Sequence, residues 1–380
     1  PPPPLFQAED GIRDNIPSLV GSEMCIRDRV WTAFVFLALF WTAFSIAAEV
    51  SVGTSLPVLN DLLRVEGALT LFGEPVPLNI PQVRERYEKE LLLAAWDRPQ
   101  ALLWLKRSTR FMPSVAAALK KRRMPADLRF LAVAESALRP HVGSPKGALG
   151  FWQLLPDTAR RYGLVVDGSF DERRNVTFST RAALDYLQDL HERFGSWTLA
   201  VAAYNMGEEG LEAEMLEQNG ADFYDLYLPL ETQRFIFRIL SAKLILSDPQ
   251  RFGFHLAAED HYAQVASVSI QIDAFEEVPL RLIAAAANTT FKAVKDLNPE
   301  IRGHYLAAGS RAVQIPPAGQ EGFSQRYQAL LDAHRKDRQQ RIYVVRAGDN
   351  LTTIAAKFNV PLAALLIWNR IDLNLSLIHI

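Results

Sequence analysis

From about Pro81 to Phe254 the sequence is punctuated as a succession of helices, and this restricts the possible folds more than any other feature. Pro81, Pro99, Pro125 and Pro229 fit first-turn positions, where a missing N–H costs nothing because the first N–H groups of a helix have no intrahelical partner. Gly195 and Gly207 fit helix ends. Ser179 can cap a helix whose apolar residues Ala183, Leu187, Leu190 and Phe194 recur at three- and four-residue steps, a core-facing stripe. From His261 onward the texture changes to short β-rich runs, QVASVSIQI, RAVQIP and RIYVV, separated by compact helical pieces. A second kind of domain begins there.

The β-rich part contains an internal repeat. IAAAANTTFKAVKDLN, from Ile283 to Asn298, lies without gaps over IAAKFNVPLAALLIWN, from Ile354 to Asn369, at an offset of 71 positions. Ile283 matches Ile354, Asn288 matches Asn359, Val294 matches Leu365 and Asn298 matches Asn369, so core positions are kept while the surface varies. QEGFSQRYQALLDAHRKDRQQR, between the copies, reads as a charged helical spacer whose cationic end is a solvated face.

Composition excludes several functions. The 380 residues are 49% hydrophobic and 22% charged, a globular balance with room for more than one core. Lys plus Arg number 41 against 43 for Asp plus Glu, so no overall basic field exists to neutralise nucleic-acid phosphates. The single cysteine, Cys25, can form no internal disulfide, and the 7 histidines lack the paired spacings of zinc hydrolases. No metal and no cofactor is expected.

Both ends stand apart from the fold. Residues 1–29 have no helical or strand period, and their QAEDGIRD and EMCIRDR strings resemble translated sequencing-adapter sequence, as does LSLIHI at 375–380. On that reading the natural chain would continue beyond the last residue given. Residues 30–48, VWTAFVFLALFWTAFSIAA, form an apolar run that follows Arg27 and Arg29 and ends in small residues around Ser45-Ile46-Ala47. They read as a secretory signal, with an uncleaved membrane anchor as the alternative. Either way the remainder is exported.

One position in the helical region carries chemistry. In PADLRFLAVAESALRP, Leu128, Leu131, Ala132, Glu135 and Leu138 share one helical stripe, so a carboxylic acid sits where the pattern asks for an apolar side chain. A buried carboxylate is costly unless paired or protonated. Either Glu135 pairs with an arginine such as Arg139 or Arg161, or it is a general acid with a pKa raised by apolar surroundings.

The surrounding motifs favour the second reading. Glu135-Ser136, then Ser144-Pro145-Lys146-Gly147-Ala148-Leu149-Gly150-Phe151-Trp152-Gln153-Leu154, then Ala203-Tyr204-Asn205-Met206-Gly207, then Leu228-Pro229-Leu230-Glu231-Thr232 resemble, in order and spacing, the motifs of family 1 lytic transglycosylases. Trp152-Gln153 and the FDERRN stretch, Phe170 to Asn175, resemble the subtype that joins such a domain to C-terminal LysM modules. The second repeat copy, YVVRAGDNLTTIAAKFNVPLAALLIWN, resembles a LysM module, the βααβ unit that binds N-acetylglucosamine-containing glycans. In it Gly348 would permit a turn that brings backbone amides to a sugar, Asp349 could cap the following helix, and Asn350 completes the glycan-binding turn. The first copy has Glu277 and Val278 where the second has Gly348 and Asp349, so packing is as good a role for it as sugar binding.

The resemblance implies a mainly α, lysozyme-like catalytic domain over residues 81–255, preceded by a lead-in segment over 49–80. Small α+β (βααβ) LysM-like modules follow: a degenerate one over 262–318, a charged linker over 319–341, and a truncated one over 342–374. It implies cleavage of the β-1,4 bond between N-acetylmuramic acid and N-acetylglucosamine in peptidoglycan, with Glu135 as the one acid and base and 1,6-anhydromuramic acid ends as product. Ser136, Ser144, Gln153, Tyr204, Asn205 and Glu231 are then the cleft residues that contact or orient substrate. The implied partner is the peptidoglycan glycan strand, and the implied location is the periplasm or envelope of a Gram-negative bacterium, with membrane association through residues 30–48 left open.

Two rival readings remain. A goose-type lysozyme-like hydrolase shares the fold but needs a second carboxylate to position water, and Asp157, Asp167, Asp171 and Glu172 are the candidates; the plainer roles are that Asp157, after Pro156, begins a helix and that Asp171 and Glu172 pair with Arg173 or Arg174. A catalytically silent peptidoglycan-binding scaffold would need the LysM units alone.

Overall fold

The structure, a computed structural model, describes residues 58–371 apart from residues 66, 341–342, 347 and 370. The apolar run at 30–48 and both adapter-like ends lie outside the described residues. The fold class is the expected one, mainly helical with a small α+β unit after it, although the second repeat copy shows only helices among the described residues.

The lead-in is short: α1 (Leu59–Leu62), then a two-residue hairpin of β1 (Thr70–Leu71) and β2 (Glu74–Pro75). Two long helices follow, α2 (Pro81–Trp96) and α3 (Arg98–Arg122), separated only by Asp97, whose side chain caps α3 by accepting from the Gln100 amide. After a 3-10 turn comes α4 (Arg129–Ser136), which carries Glu135 in its last turn. It is shorter than the apolar stripe suggests. Ala137 and Leu138 both take left-handed φ, 52° and 58°, so the chain leaves the helix at Ser136 and Leu138 reaches the core from outside it.

The remaining helices of this domain are α5 (Pro156–Arg161), α6 (Val176–Phe194), α7 (Trp197–Met206), α8 (Glu208–Gln218) and α9 (Leu230–Ser247). The expected stripe of α6 faces the core, with Ala183, Leu187 and Leu190 buried, and Gly195 ends the helix in the left-handed region. The cap is not Ser179, which lies a turn inside and bonds back to the Asn175 carbonyl. Asn175 caps α6, its Oδ1 accepting from the Thr177 and Phe178 amides, because it alone keeps the extended backbone that a cap needs. Pro125 and Pro229 stand one residue outside their helices rather than in the first turn. Buried along most of its length, α9 packs against α2, α4 and α7, so the Glu135 helix and the Tyr204 helix share one central partner.

The first repeat copy is a βααβ unit of β3 (Val268–Ala274), β4 (Val278–Pro279), α10 (Leu280–Ala286), α11 (Phe291–Leu297), β5 (Tyr305–Leu306) and β6 (Gly309–Ile315). β3 and β6 pair antiparallel from Val268↔Ile315 to Ala274↔Gly309, and alternate residues of β3, ending with Ile272 and Ala274, face the helices. The helix of the supposed linker, α12 (Phe323–Gln340), is not a free spacer. It packs on α10 and buries Phe323 and Leu331 in the core of the unit, which the high surface charge of the segment hides in a one-dimensional reading.

The second copy provides α13 (Leu351–Lys357) and α14 (Leu362–Asn369), and α13 stands 71 residues after α10 at both of its ends. The matched asparagines Asn288 and Asn359 share the left-handed conformation, φ 49° and 52°. Asn298 and Asn369 each donate to the carbonyl one turn back, Val294 and Leu365. In the first copy Asn298 also holds β6, through both the amide and the carbonyl of Gln314. Tyr343–Arg346 forms no strand here, and the second strand expected after Asn369 lies outside the described residues.

Candidate active site

Glu135 is half-buried at the end of α4, and among the described residues its carboxyl makes no hydrogen bond or ion pair. Neither sequence-proposed arginine holds it. Arg139 bonds the Ser136 carbonyl from an exposed position, and Arg161 pairs with Glu208. Desolvation by the surrounding protein raises the Glu135 pKa to about 8, against the opposing pull of Arg238 and with a further push from Glu231. At neutral pH this side chain is therefore mostly protonated, as a general acid must be.

Arg238 carries no signal in any of the motifs, yet it sits one helical repeat along α9 from Glu231 and forms an ion pair with it. The spacing of seven on one helix is the clue that could have found it. Glu231 lies in the first turn of α9 and is mostly exposed, so it contributes to the field at Glu135 while bound to Arg238.

The loop from Ser144 to Leu154 is the second part of the site. Ser144 Oγ accepts from the Ala148 amide at 3.1 Å and its carbonyl from the Gly147 amide at 2.9 Å, so Ser144 closes the loop's own turn. Gln153 takes a left-handed φ of 48° and its side-chain amide donates to the carbonyls of Val142 (2.8 Å) and Gly150 (2.9 Å). Trp152 is fully buried with its indole N–H on Thr180, which makes it core rather than a sugar platform. Ser136 is buried too, its hydroxyl bonding the carbonyls of Ala132 and Phe151 and so tying α4 to this loop.

The third part is α7. The Tyr204 hydroxyl donates to the Trp152 carbonyl at 2.6 Å, and its pKa is pushed well up by burial and by Glu135 nearby. Asn205 Oδ1 accepts from the Thr232 hydroxyl at 3.0 Å, joining α7 to the start of α9. Glu135, Tyr204, Glu231 and Arg238 are thus brought into one electrostatic neighbourhood. Ser136, Gln153 and Asn205 join its walls together, while Ser144 serves the turn.

Two supporting features reach across the fold, and of these only the pairing of Asp171 with Arg173 was readable in the sequence. Glu74 of the lead-in accepts from the Trp197 amide (2.6 Å), the Thr198 amide (3.0 Å) and the hydroxyls of Ser196 and Thr198, so a distant carboxylate caps α7. Arg173, buried and bidentate on Asp171, donates to the carbonyls of Gly147 (2.8 Å) and Leu154 (3.0 Å) and clamps both ends of the loop. Gly150, φ 83°, packs so close to the Arg173 carbonyl that a Cβ would collide with it.

The four rival carboxylates are engaged elsewhere. Asp171 holds Arg173, Glu172 accepts from the Val165 amide, Asp167 accepts from the amides of Ser169 and Phe170, and Asp157 is exposed beside Arg160. Among the described residues no cluster of metal-ligating side chains occurs.

In the second repeat copy Gly348 has φ 90°, as the expected turn requires. Asp349 does not cap α13. It accepts from the Arg346 amide and the Tyr343 hydroxyl, which keeps its carboxyl below the usual range, and Asn350, with extended backbone, caps the helix through the Thr353 amide. One residue of offset decides which acidic or amide side chain reaches the helix.

Comparison with known proteins agrees with this architecture. Residues 112–226 match the family model of the transglycosylase SLT domain and residues 343–380 that of the LysM domain. Membrane-bound lytic murein transglycosylase D of Escherichia coli (strain K12) is 32% identical over 324 residues, covering 80% of this chain and 70% of the relative. The same protein of Escherichia coli O6:H1 matches equally. Among solved structures, the 70 kDa soluble lytic transglycosylase of Escherichia coli is similar at 18% identity and a TM-score of 0.34, over 51% of this chain and 34% of that one. The chain spans about a third of that structure's length. This chain belongs to the family of membrane-bound lytic murein transglycosylase D.

Proposed function

We propose that the protein is an exported lytic transglycosylase that cleaves the β-1,4 bond between N-acetylmuramic acid and N-acetylglucosamine in peptidoglycan, leaving 1,6-anhydromuramic acid ends. The observation that carries this reading is Glu135 itself: a carboxyl with a pKa of about 8, touching solvent and, among the described residues, bound to no other group.

The steps follow from that state. Protonated Glu135 gives its proton to the glycosidic oxygen as the C1–O bond breaks, and the charge left at C1 is stabilised by the substrate's acetamido oxygen. The resulting carboxylate then takes the proton of the muramoyl C6 hydroxyl, whose oxygen attacks C1 and closes the anhydro ring. Glu135 ends the cycle protonated and no water is consumed. An internal nucleophile has a high effective molarity, so a second enzyme carboxylate is not needed. That the four candidate second carboxylates are otherwise bound supports the transglycosylase over the hydrolase.

Ser136, Tyr204 and Asn205 hold the loop, α7 and α9 around the carboxyl, Gln153 and Ser144 shape the glycan-facing loop, and Glu231 with Arg238 tunes the charge. The turn at Gly348, Asp349 and Asn350 takes glycan and raises the effective concentration of enzyme on its polymer. Residues 30–48 carry the protein to the periplasmic side of the envelope.

Mass spectrometry of fragments released from purified peptidoglycan tests the reading. Anhydromuramoyl ends, one water lighter than reducing ends, are expected from the wild type and should vanish in Glu135→Gln. Reducing ends would indicate the hydrolase, and polymer binding without release would indicate the scaffold.

A further inference from the structure

The first βααβ unit is joined to the helical domain by more than a tether. An antiparallel bridge pairs Phe170 with Ile301: the Asp171 amide donates to the Glu300 carbonyl at 2.8 Å, and the Arg302 amide donates to the Ser169 carbonyl at 2.8 Å. The Arg302 guanidinium reaches the Asp167 carbonyl at 2.9 Å. Phe170 is buried in the same apolar core as Ile272, Ile301 and Val313 of the βααβ unit, with the Arg311 guanidinium 4.4 Å over its ring. The FDERRN stretch therefore belongs to two cores. Phe170 packs in the βααβ unit, while three residues later Arg173 clamps the loop that carries Gln153.

The face that would take a sugar in a LysM turn is used up in this unit. Val278, which stands where the second copy has Asp349, is 1% exposed and pairs with Leu306. Arg335 of α12 pairs with Glu276 at 2.9 Å, and Arg326 of α12 bonds the Ala286 and Gly319 carbonyls. A third helix thus lies across the unit beside its degenerate turn.

We propose that the first βααβ unit, with α12, is a brace for the active-site loop acting through Phe170 and Asp171, and not a glycan-binding module. The continuous set of contacts runs from Ile301 and Arg302 to Phe170 and Asp171, through the Asp171–Arg173 ion pair to Gly147 and Leu154, and on through the Phe151 and Trp152 carbonyls to Ser136 and Tyr204 beside Glu135. Phe170 and Asp171 are positioning residues. They hold the loop in the left-handed and tight-turn geometry that Gln153 and Gly150 require, and the loop in turn holds the walls of the site. This rests on the reading of Glu135 as the acid and base.

The test compares wild type with Phe170→Ala, Phe170→Leu and the milder Arg302→Ala in the full chain. Amide hydrogen exchange should quicken at Leu149, Gly150 and Gln153 in Phe170→Ala and Arg302→Ala, while the buried amides of α9 keep their protection. On soluble glycan chains kcat should fall about tenfold with KM unchanged, and Phe170→Leu, which keeps the apolar packing, should recover most of it. Sedimentation with peptidoglycan should stay at the wild-type level. Unchanged loop exchange, or a raised KM and lost sedimentation with kcat intact, would overturn the brace, and the second pattern would make the unit a glycan binder. If the wild type released no fragments, the catalytic reading would fail, and the exchange measurement would still decide whether the unit braces the loop.

Discussion

Glu231 and Arg238 are ion-paired along one face of α9 and act with opposite sign on the carboxyl of Glu135, Glu231 raising its pKa and Arg238 lowering it. The acid is thus adjusted by a pair of charges on a helix that does not carry it. Since cleavage begins with a proton held by Glu135, kcat/KM should be level through neutral pH and fall above about pH 8. Arg238→Met removes the lowering charge and should move this alkaline limb to higher pH, whereas Glu231→Gln should move it to lower pH. A pH–rate profile of the three proteins checks the order, and a limb that stayed in place in both variants would contradict it.

The same shift makes a statement about stability. A carboxyl at about 8 in the folded protein and near the ordinary carboxylate value of 4.5 in the unfolded chain keeps a proton on folding that the unfolded state gives up between those pH values. The stabilisation is complete below the lower value and is lost as pH rises through the upper one. Glu135→Gln does not titrate, so it should gain on the wild type as pH rises from 5 to 9, by on the order of 1–2 kcal/mol because the residue keeps solvent contact. Urea denaturation at both pH values measures this, and a pH-independent difference would contradict the assignment.

Glu74 should matter far more than a lead-in residue normally would. Its carboxylate serves the amides of Trp197 and Thr198 and two hydroxyls at the start of α7. Glu74→Ala should cost about 2 kcal/mol, the sum of a lost cap and a lost charge at a helix N-terminus. Because α7 carries Tyr204 and Asn205, activity should fall with it. Denaturation midpoints of Glu74→Ala and Glu74→Gln, the latter retaining part of the cap, give the comparison.

The buried pair of Asp171 and Arg173 predicts a large loss of stability when one partner's charge is removed. Asp171→Asn leaves a guanidinium 6% exposed without its counter-charge and should cost about 3 kcal/mol or more. Gly150→Ala should be as damaging, for the new Cβ meets the Arg173 carbonyl at a backbone φ of 83°. Thermal unfolding of both variants checks this, and a near-neutral Gly150→Ala would show that the loop is not clamped.

What the sequence made legible was local or periodic. The α6 stripe, the helix ends at Gly195 and Gly207 and the 71-residue repeat were readable because each is a regular recurrence or a backbone requirement tied to one residue type. The odd position of Glu135 was readable for the same reason, as a break in a period. Ser179 against Asn175, and Asp349 against Asn350, were misread because capping depends on which residue keeps extended backbone, and neighbouring polar residues look alike until that is known. Glu74, Arg238 and the grip of Arg173 on the Gly147 and Leu154 carbonyls have a different ground: they act across the fold on groups that sequence distance does not bring together, whereas the pairing of Arg173 with its near neighbour Asp171 was readable. The packing of α12 was hidden by its charge, since a helix with a narrow apolar stripe of Phe323, Tyr327, Leu330 and Leu331 averages to a polar segment.

Whether water enters the product separates a transglycosylase from a hydrolase most directly. Digestion of purified peptidoglycan in ¹⁸O-labelled water, followed by mass spectrometry of the new muramoyl ends, measures this at the bond that is cut. The expected result is anhydro ends carrying no label, formed by the wild type and absent with Glu135→Gln. New reducing ends carrying one labelled oxygen for each cleavage would show that water is the nucleophile and would contradict it.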